Sequence, residues 1–173
     1  DAAFEWFFKR FEEAGGLCVR ARNFAQENNG EVKYAEKLKE LEGWYKTAVA
    51  KLDPHVQNWV ADGRVNLLAG NSLPTIFDPE GHSTLVTQGI SLLANDLGIR
   101  DPDFSTLHSI QNSRIDITNS IDLAVTLKNI ISADISTIKT RREFCEIAMS
   151  LLTKTQDYLV SSSSLDEPSA YLE

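Results

Sequence analysis

The feature that most constrains this chain is an alternating four-three spacing of apolar residues in its last third. Ile117, Ile121, Ala124, Ile131, Ile135, Ile138, Cys145, Met149, Leu152 and Leu159 keep that step, with Lys128 and Arg142 as polar interruptions. A repeat averaging 3.5 residues is the seam of packed helices, because it keeps one stripe facing a partner over many turns. A second stripe, Leu123, Leu127, Ile130, Phe144, Ala148, Leu151 and Tyr158, runs beside the first, so the helix needs a bundle rather than a single partner. Asp101-Pro102-Asp103 reads as the start signal, with Asp101 and Asp103 as helix-start residues. Ser161 to Ser164 reads as the stop, before an acidic tail to Glu173. A helix from Leu107 to Val160 would be on the order of 80 Å long.

Upstream, Phe4, Phe7, Phe8, Phe11, Val19 and Phe24 are also helically spaced. Gly15-Gly16 predicts a break or bend there, since glycine is a poor helix former, and Asn28-Asn29-Gly30 predicts a stop. Tyr34, Leu38, Leu41, Tyr45, Ala48 and Leu52 form another four-three seam. Pro54 fits only a first turn or a kink, so 55–61 reads as a displaced final segment before an Asp62-Gly63 turn. The texture then changes. Short apolar runs at 73–77 and 84–87 flank Asp78-Pro79-Glu80-Gly81, which predicts two strands joined by a four-residue turn. Pro74 cannot donate to a ladder, which places the first strand at an edge or starts it late.

These elements define a mainly α fold: an elongated bundle of long coiled-coil-like helices, with a β-hairpin region between the second helix and the long C-terminal helix. The chain reads as one elongated domain over 1–173. Within it, N-terminal helices cover 1–61, the hairpin region 62–100, the long helix 104–160 and a tail 161–173.

Charge narrows the function classes. A net charge of -8 and a pI near 4.9 speak against nucleic acid, which needs a clustered basic surface. The tightest basic cluster, Lys139, Arg141 and Arg142, reads as a solvated helix face. No stretch reaches the roughly 18 apolar residues of a membrane span, and DAAFEWFFKRFEE lacks the order of a Sec signal peptide.

Cys18 and Cys145 lie far apart, without a CxxC or a neighbouring histidine, so no zinc or redox site is indicated and both are expected as buried free thiols, with a disulfide between two helices as the alternative. An enzyme reading would pair one of them with His55, His82 or His108, but no local signature surrounds either cysteine. The expectation is no catalytic residue, no cofactor and no metal. A carbohydrate- or host-binding module would need an exposed aromatic cluster, whereas Trp6, Trp44 and Trp59 fall in helical segments and are expected in the core.

Three stretches resemble the short flagellins of alphaproteobacteria. Gly63-Arg64-Val65-Asn66-Leu67-Leu68-Ala69-Gly70-Asn71-Ser72-Leu73 is similar to the family's exit from the second helix into its hairpin, continuing through Thr75–Leu85 and closing with Asp96-Leu97-Gly98-Ile99. Ser136-Thr137-Ile138-Lys139-Thr140-Arg141-Arg142-Glu143-Phe144 is similar to the family's carboxy-terminal helix, with Leu165-Asp166-Glu167 and Ala170 beyond it. Val19–Gly30 resembles the segment whose arginine packs between subunits and in some bacteria is read by the host's flagellin-sensing Toll-like receptor.

The resemblance covers about half the chain. Two cysteines, three tryptophans, Gly15-Gly16 and Pro54 depart from the family pattern and mark a divergent member. The resemblance implies the rod-like inner domain of a flagellin without its terminal assembly helices. It implies a structural subunit of an extracellular bacterial flagellum, used for motility and exported by the flagellar type III apparatus without a Sec signal. Its partners would be other copies in a helical filament, a secretion chaperone, a filament cap and a host flagellin-sensing receptor, with neither nucleic acid nor membrane. Arg22, Asn66 and Arg142 are the candidate subunit-interface or structural positions. The alternative of the same export class is a hook-filament junction protein or a type III secretion filament or tip protein.

Overall fold

The computed structural model describes residues 2–28, 32–61 and 66–165, excepting the side chains of 60, 61, 66, 164 and 165. The chain is mainly helical: α1 (Ala2–Glu27), α2 (Val32–Ala50), α3 (Leu52–Ala61), a 3-10 turn (Asn66–Leu68), strands β1 (Leu73–Ile76) and β2 (Thr84–Thr87), and α4 (Leu107–Leu165). The Asp62-Gly63 turn, most of the Asn28–Gly30 stop and the acidic tail lie outside the described residues. Two compact units are present, 1–131 and 132–173, and α4 contributes to both.

In the first unit, α1 and α2 pack together with the opening turns of α4. Phe7, Phe11, Ala14, Leu17, Cys18 and Ala21 of α1 are buried with Leu41, Tyr45 and Ala48 of α2 and Ile110, Ile117, Ala124 and Leu127 of α4. The four-three spacings therefore become the core of a helical bundle here, as expected.

α1 corrects one expectation. It runs without a break through Gly15-Gly16. A Cβ built on Gly15 would stand 3.7 Å from Ile117 Cγ2, ordinary contact distance, so α4 already lies against the helix at this point. Two helical glycines cost about 2 kcal/mol relative to alanine. Burial of the flanking Phe11, Ala14, Leu17 and Cys18 outweighs that, at roughly 1.5–3 kcal/mol for each large apolar side chain.

α3 follows α2 after Lys51 alone and carries Pro54 in its first turn, where a missing N–H costs no helical bond. Asp53, beside it, accepts the Ala94 N–H at 2.7 Å and so ties α3 to the far side of the hairpin region.

β1 and β2 pair antiparallel, with Leu73 opposite Thr87 and Ile76 opposite Thr84. Among the described residues the sheet has two strands, so Pro74 lies on an edge strand. The connection is longer than the expected four-residue turn, because pairing stops at Ile76 and Thr84. It is closed by Phe77 N–H to Ser83 O at 2.8 Å and Ser83 N–H to Asp78 Oδ2 at 3.0 Å. At the base of the hairpin, Leu67 and Leu68 carbonyls accept the N–H groups of Ile90 and Leu92. Gly89 is obligatory there, since a Cβ would collide with the carbonyl oxygens of Asn71 and Leu67. A short turn over 93–97 then ends at Gly98, φ +74°, with Gly98 N–H to Asn95 O and Ile99 N–H to Ala94 O. That is the left-handed glycine stop of a helical turn.

α4 starts and ends differently from expectation. Its start is set by Thr106 and Ser109: Ser109 N–H donates to Thr106 Oγ1 at 3.1 Å and Thr106 N–H to Ser109 Oγ at 3.1 Å, a reciprocal cap. Asp103 instead accepts the Ser105 N–H just upstream. At the other end the helix continues through Ser161 to Leu165. The hydroxyls of Ser161, Ser162 and Ser163 turn back onto carbonyls three or four residues earlier, which lets serine stay helical.

Candidate functional site

The surface with the strongest physical claim to a function lies on α4 within the second unit. Both sequence stripes continue past Ile131, yet their large side chains are exposed. Phe144 is 70% exposed, Leu152 69% and Tyr158 73%, and Ile135, Ile147, Met149, Leu151, Leu159 and Val160 are exposed as well. At 3.6 residues per turn, the Met149-Leu152 stripe and the Phe144-Leu151-Tyr158 stripe stand roughly a third of a turn apart. The helix is therefore apolar around much of its circumference. A helix of that kind is stable in water only when several neighbours cover it.

Cys145 lies on this surface and is an exposed free thiol, which corrects the expectation that both cysteines are buried. Its seam is covered in the first unit and uncovered in the second, a difference that periodicity does not encode. Cys18 is buried as expected, and burial pushes its thiol up to about 12, with the Arg114 charge opposing only in part. Trp44 is a second correction. It is 44% exposed, with Arg20 5.5 Å and Lys37 5.2 Å from its ring centre. Trp6 and Trp59 are partly buried against the core, as expected.

The candidate positions are placed as follows. Arg22 is half-buried on α1, and its Nε is buried without a hydrogen-bond partner. Asn66 has its backbone in the 3-10 turn, while its side chain lies outside the described residues, as do Gly63, Arg64 and Val65 of the same stretch. Arg142 is exposed on α4 and pairs with Glu146 one turn on, Nε to Oε1 at 2.8 Å. An exposed pair of this kind contributes under about 1 kcal/mol.

Several organising residues escaped the sequence reading. Asp116 is 5% exposed and accepts three donors of Arg100: the backbone N–H at 3.1 Å, Nε at 3.1 Å and Nη2 at 2.7 Å. Glu42 Oε2 accepts the Phe104 N–H at 2.9 Å, and Tyr45 hydroxyl donates to Ser113 O at 3.5 Å. Together these fasten the segment before α4 onto α2 and α4. Only the Thr106-x-x-Ser109 cap has a local signature; the other pairings are long-range.

The histidines occupy three separate settings. His55 stacks on Trp6 with ring centres 3.7 Å apart, and its Nε2 is buried without a partner. His82 sits beside Glu80 in the hairpin connection, Nδ1 to Oε2 3.3 Å. His108 is exposed in the first turn of α4. Among the described residues no group of three or more His, Cys, Asp or Glu is arranged to hold a metal, and no helix is long and apolar enough to cross a membrane.

No family model and no curated protein matches the chain.

Proposed function

We propose that this chain is the core of a structural subunit related to flagellin, which works by burying the second half of α4 among copies of itself in a helical filament. The observation that carries the reading is the exposed apolar circumference of α4 between Ile135 and Val160. Nine large side chains at around 100 Å² exposed each amount to roughly 900 Å², beyond the few hundred Å² that a monomer ordinarily leaves open in one patch. Covering that area is worth roughly 20 kcal/mol gross, above an association cost of about 4–15 kcal/mol.

The order of elements supports the same reading: helices, a glycine-punctuated hairpin region, then one long helix. So does the likeness of 63–73, 75–85, 96–99 and 136–144 to flagellin. Identical subunits that meet through unlike faces generate an open helical polymer. On this reading the work of the chain is mechanical, its site is a surface rather than a catalytic centre, and export follows the flagellar type III route. The secretion chaperone would be the natural cover for α4 before assembly, and the filament cap the partner that places each subunit.

Electron microscopy of the full-length protein tests this. Long helical filaments are expected. Capped short stubs or needle tips would move the chain to a junction or injection-apparatus role, and dispersed monomers at high concentration would overturn the filament reading.

A further inference from the structure

A pocket of about 250 Å³ opens in the first unit between the end of α1, the start of α2 and the residues just before α4. It is separate from the α4 surface and independent of the filament reading. Its walls are apolar. Phe24 and Tyr34 stand 6.1 Å apart centre to centre on one side, Leu38 forms another side, and Phe104 is the floor. That floor is rigidly held, with its N–H bound by Glu42 at 2.9 Å and its ring 5.4 Å from the ring of Tyr45. A preformed, aromatic-walled pocket of this size suits a compact molecule of about a dozen heavy atoms.

The polar groups of the lining set the charge of that molecule. Lys39 is the lining's cation and is exposed; it makes no ion pair with any described residue. Among the described residues of the lining the one carboxylate, Glu42, is one turn further along α2 and directs Oε2 to the Phe104 N–H rather than to Lys39. Asn28 uses Nδ2 on the Phe24 carbonyl at 3.2 Å, which leaves its amide oxygen as an acceptor. We infer that this pocket binds a small amphipathic carboxylate, with an aryl or short alkyl body against Phe24, Tyr34 and Phe104 and its anionic head at Lys39.

The test uses 4-phenylbutyrate, 4-phenylbutan-1-ol and 4-phenylbutylamine as probes in ligand-detected NMR titration of the full chain. The carboxylate is expected to bind with a dissociation constant of about 0.1–1 mM, as ordinary ligand efficiency gives, and about fivefold tighter than the alcohol, as one exposed ion pair allows. Lys39→Gln removes that preference and leaves alcohol binding unchanged. Ala35→Phe, which fills the pocket from an exposed position on α2, abolishes binding of both while the thermal midpoint stays within a few degrees. Three outcomes overturn the inference: no carboxylate binding up to about 10 mM, far above the expected constant; tighter binding of the amine, which would make Glu42 the dominant charge; or binding that survives Ala35→Phe.

Discussion

Two phenylalanines with the same side chain should respond in opposite ways to truncation. Phe104 is 1% exposed, packed on Tyr45 and fixed through its N–H. Phe104→Ala removes a buried ring, for which about 3–5 kcal/mol is typical. The adjoining pocket of about 250 Å³ lets water reach part of the vacated space, so the loss should fall near the lower end, about 3 kcal/mol. Phe144 is 70% exposed, so truncation forfeits under a third of what a fully buried ring would lose, or about 0.5 kcal/mol.

Urea titration followed by tryptophan fluorescence measures the first loss, because Trp6, Trp44 and Trp59 all lie in the first unit with Phe104, and helical circular dichroism in the same titration measures the second, because Phe144 lies on the part of α4 in the second unit. On the proposed filament reading, assembly reverses the ranking. Phe144 covered by neighbouring copies should be worth about 2–4 kcal/mol per subunit, so Phe144→Ala should raise the critical concentration for filament growth roughly 30- to 1000-fold. A Phe144→Ala protein that polymerises like the parent would refute the burial argument. So would a Phe104→Ala protein that loses less than about 1 kcal/mol, well under the cost of a core truncation.

Three further outcomes follow from the geometry. In the dissolved monomer Cys145 should alkylate at the rate of an open thiol, while Cys18, buried and pushed up to about 12, should react only on unfolding; equal rates in the native state would contradict the placement of Cys18. Burial lowers the His55 pKa below its ordinary 6.5. The unfolded chain therefore binds this proton first, so the stability tied to neutral His55 is complete above pH 6.5 and declines as pH falls through 6.5 toward the folded value. The urea midpoint should drop between pH 7.5 and 5.5, and His55→Phe should flatten that slope; an unchanged slope would exclude His55 as its source. Gly89→Ala should destabilise by more than about 2 kcal/mol, because the added methyl meets two backbone carbonyls, and a calorimetric scan with an unchanged midpoint would show that the hairpin base can shift.

Much of the architecture was legible because helical periodicity and turn chemistry are local signals. The four-three seams located α2 and α4, Pro54 placed the start of α3, and the Asp78–Gly81 run placed the hairpin. The failures share a cause. Gly15-Gly16 and Ser161–Ser164 are weak helix residues that propensity reads as breaks. In the first case α4 packs against the helix at Ile117, and in the second the serine hydroxyls bond back to the preceding turn. The seam from Ile135 onward named the right residues but not their exposure, since a spacing specifies which side chains share a stripe and not whether anything covers it. Cys145 was misplaced for that reason, and Trp44 because lying in a helical segment does not say which face a side chain takes. Arg100, Asp116, Glu42 and Phe104 had no local signal, because each acts through a partner far away in sequence.

The most direct test of the account is the alkylation rate of Cys145 before and after assembly of the full-length protein. The thiol sits on the apolar seam between Arg142 and Met149, so a filament that buries this part of α4 should slow iodoacetamide labelling at least tenfold relative to the dissolved subunit, the order expected of a thiol closed off from solvent. Labelling that proceeds equally fast in sedimented filaments and in free subunits would mean that α4 is not the assembly surface.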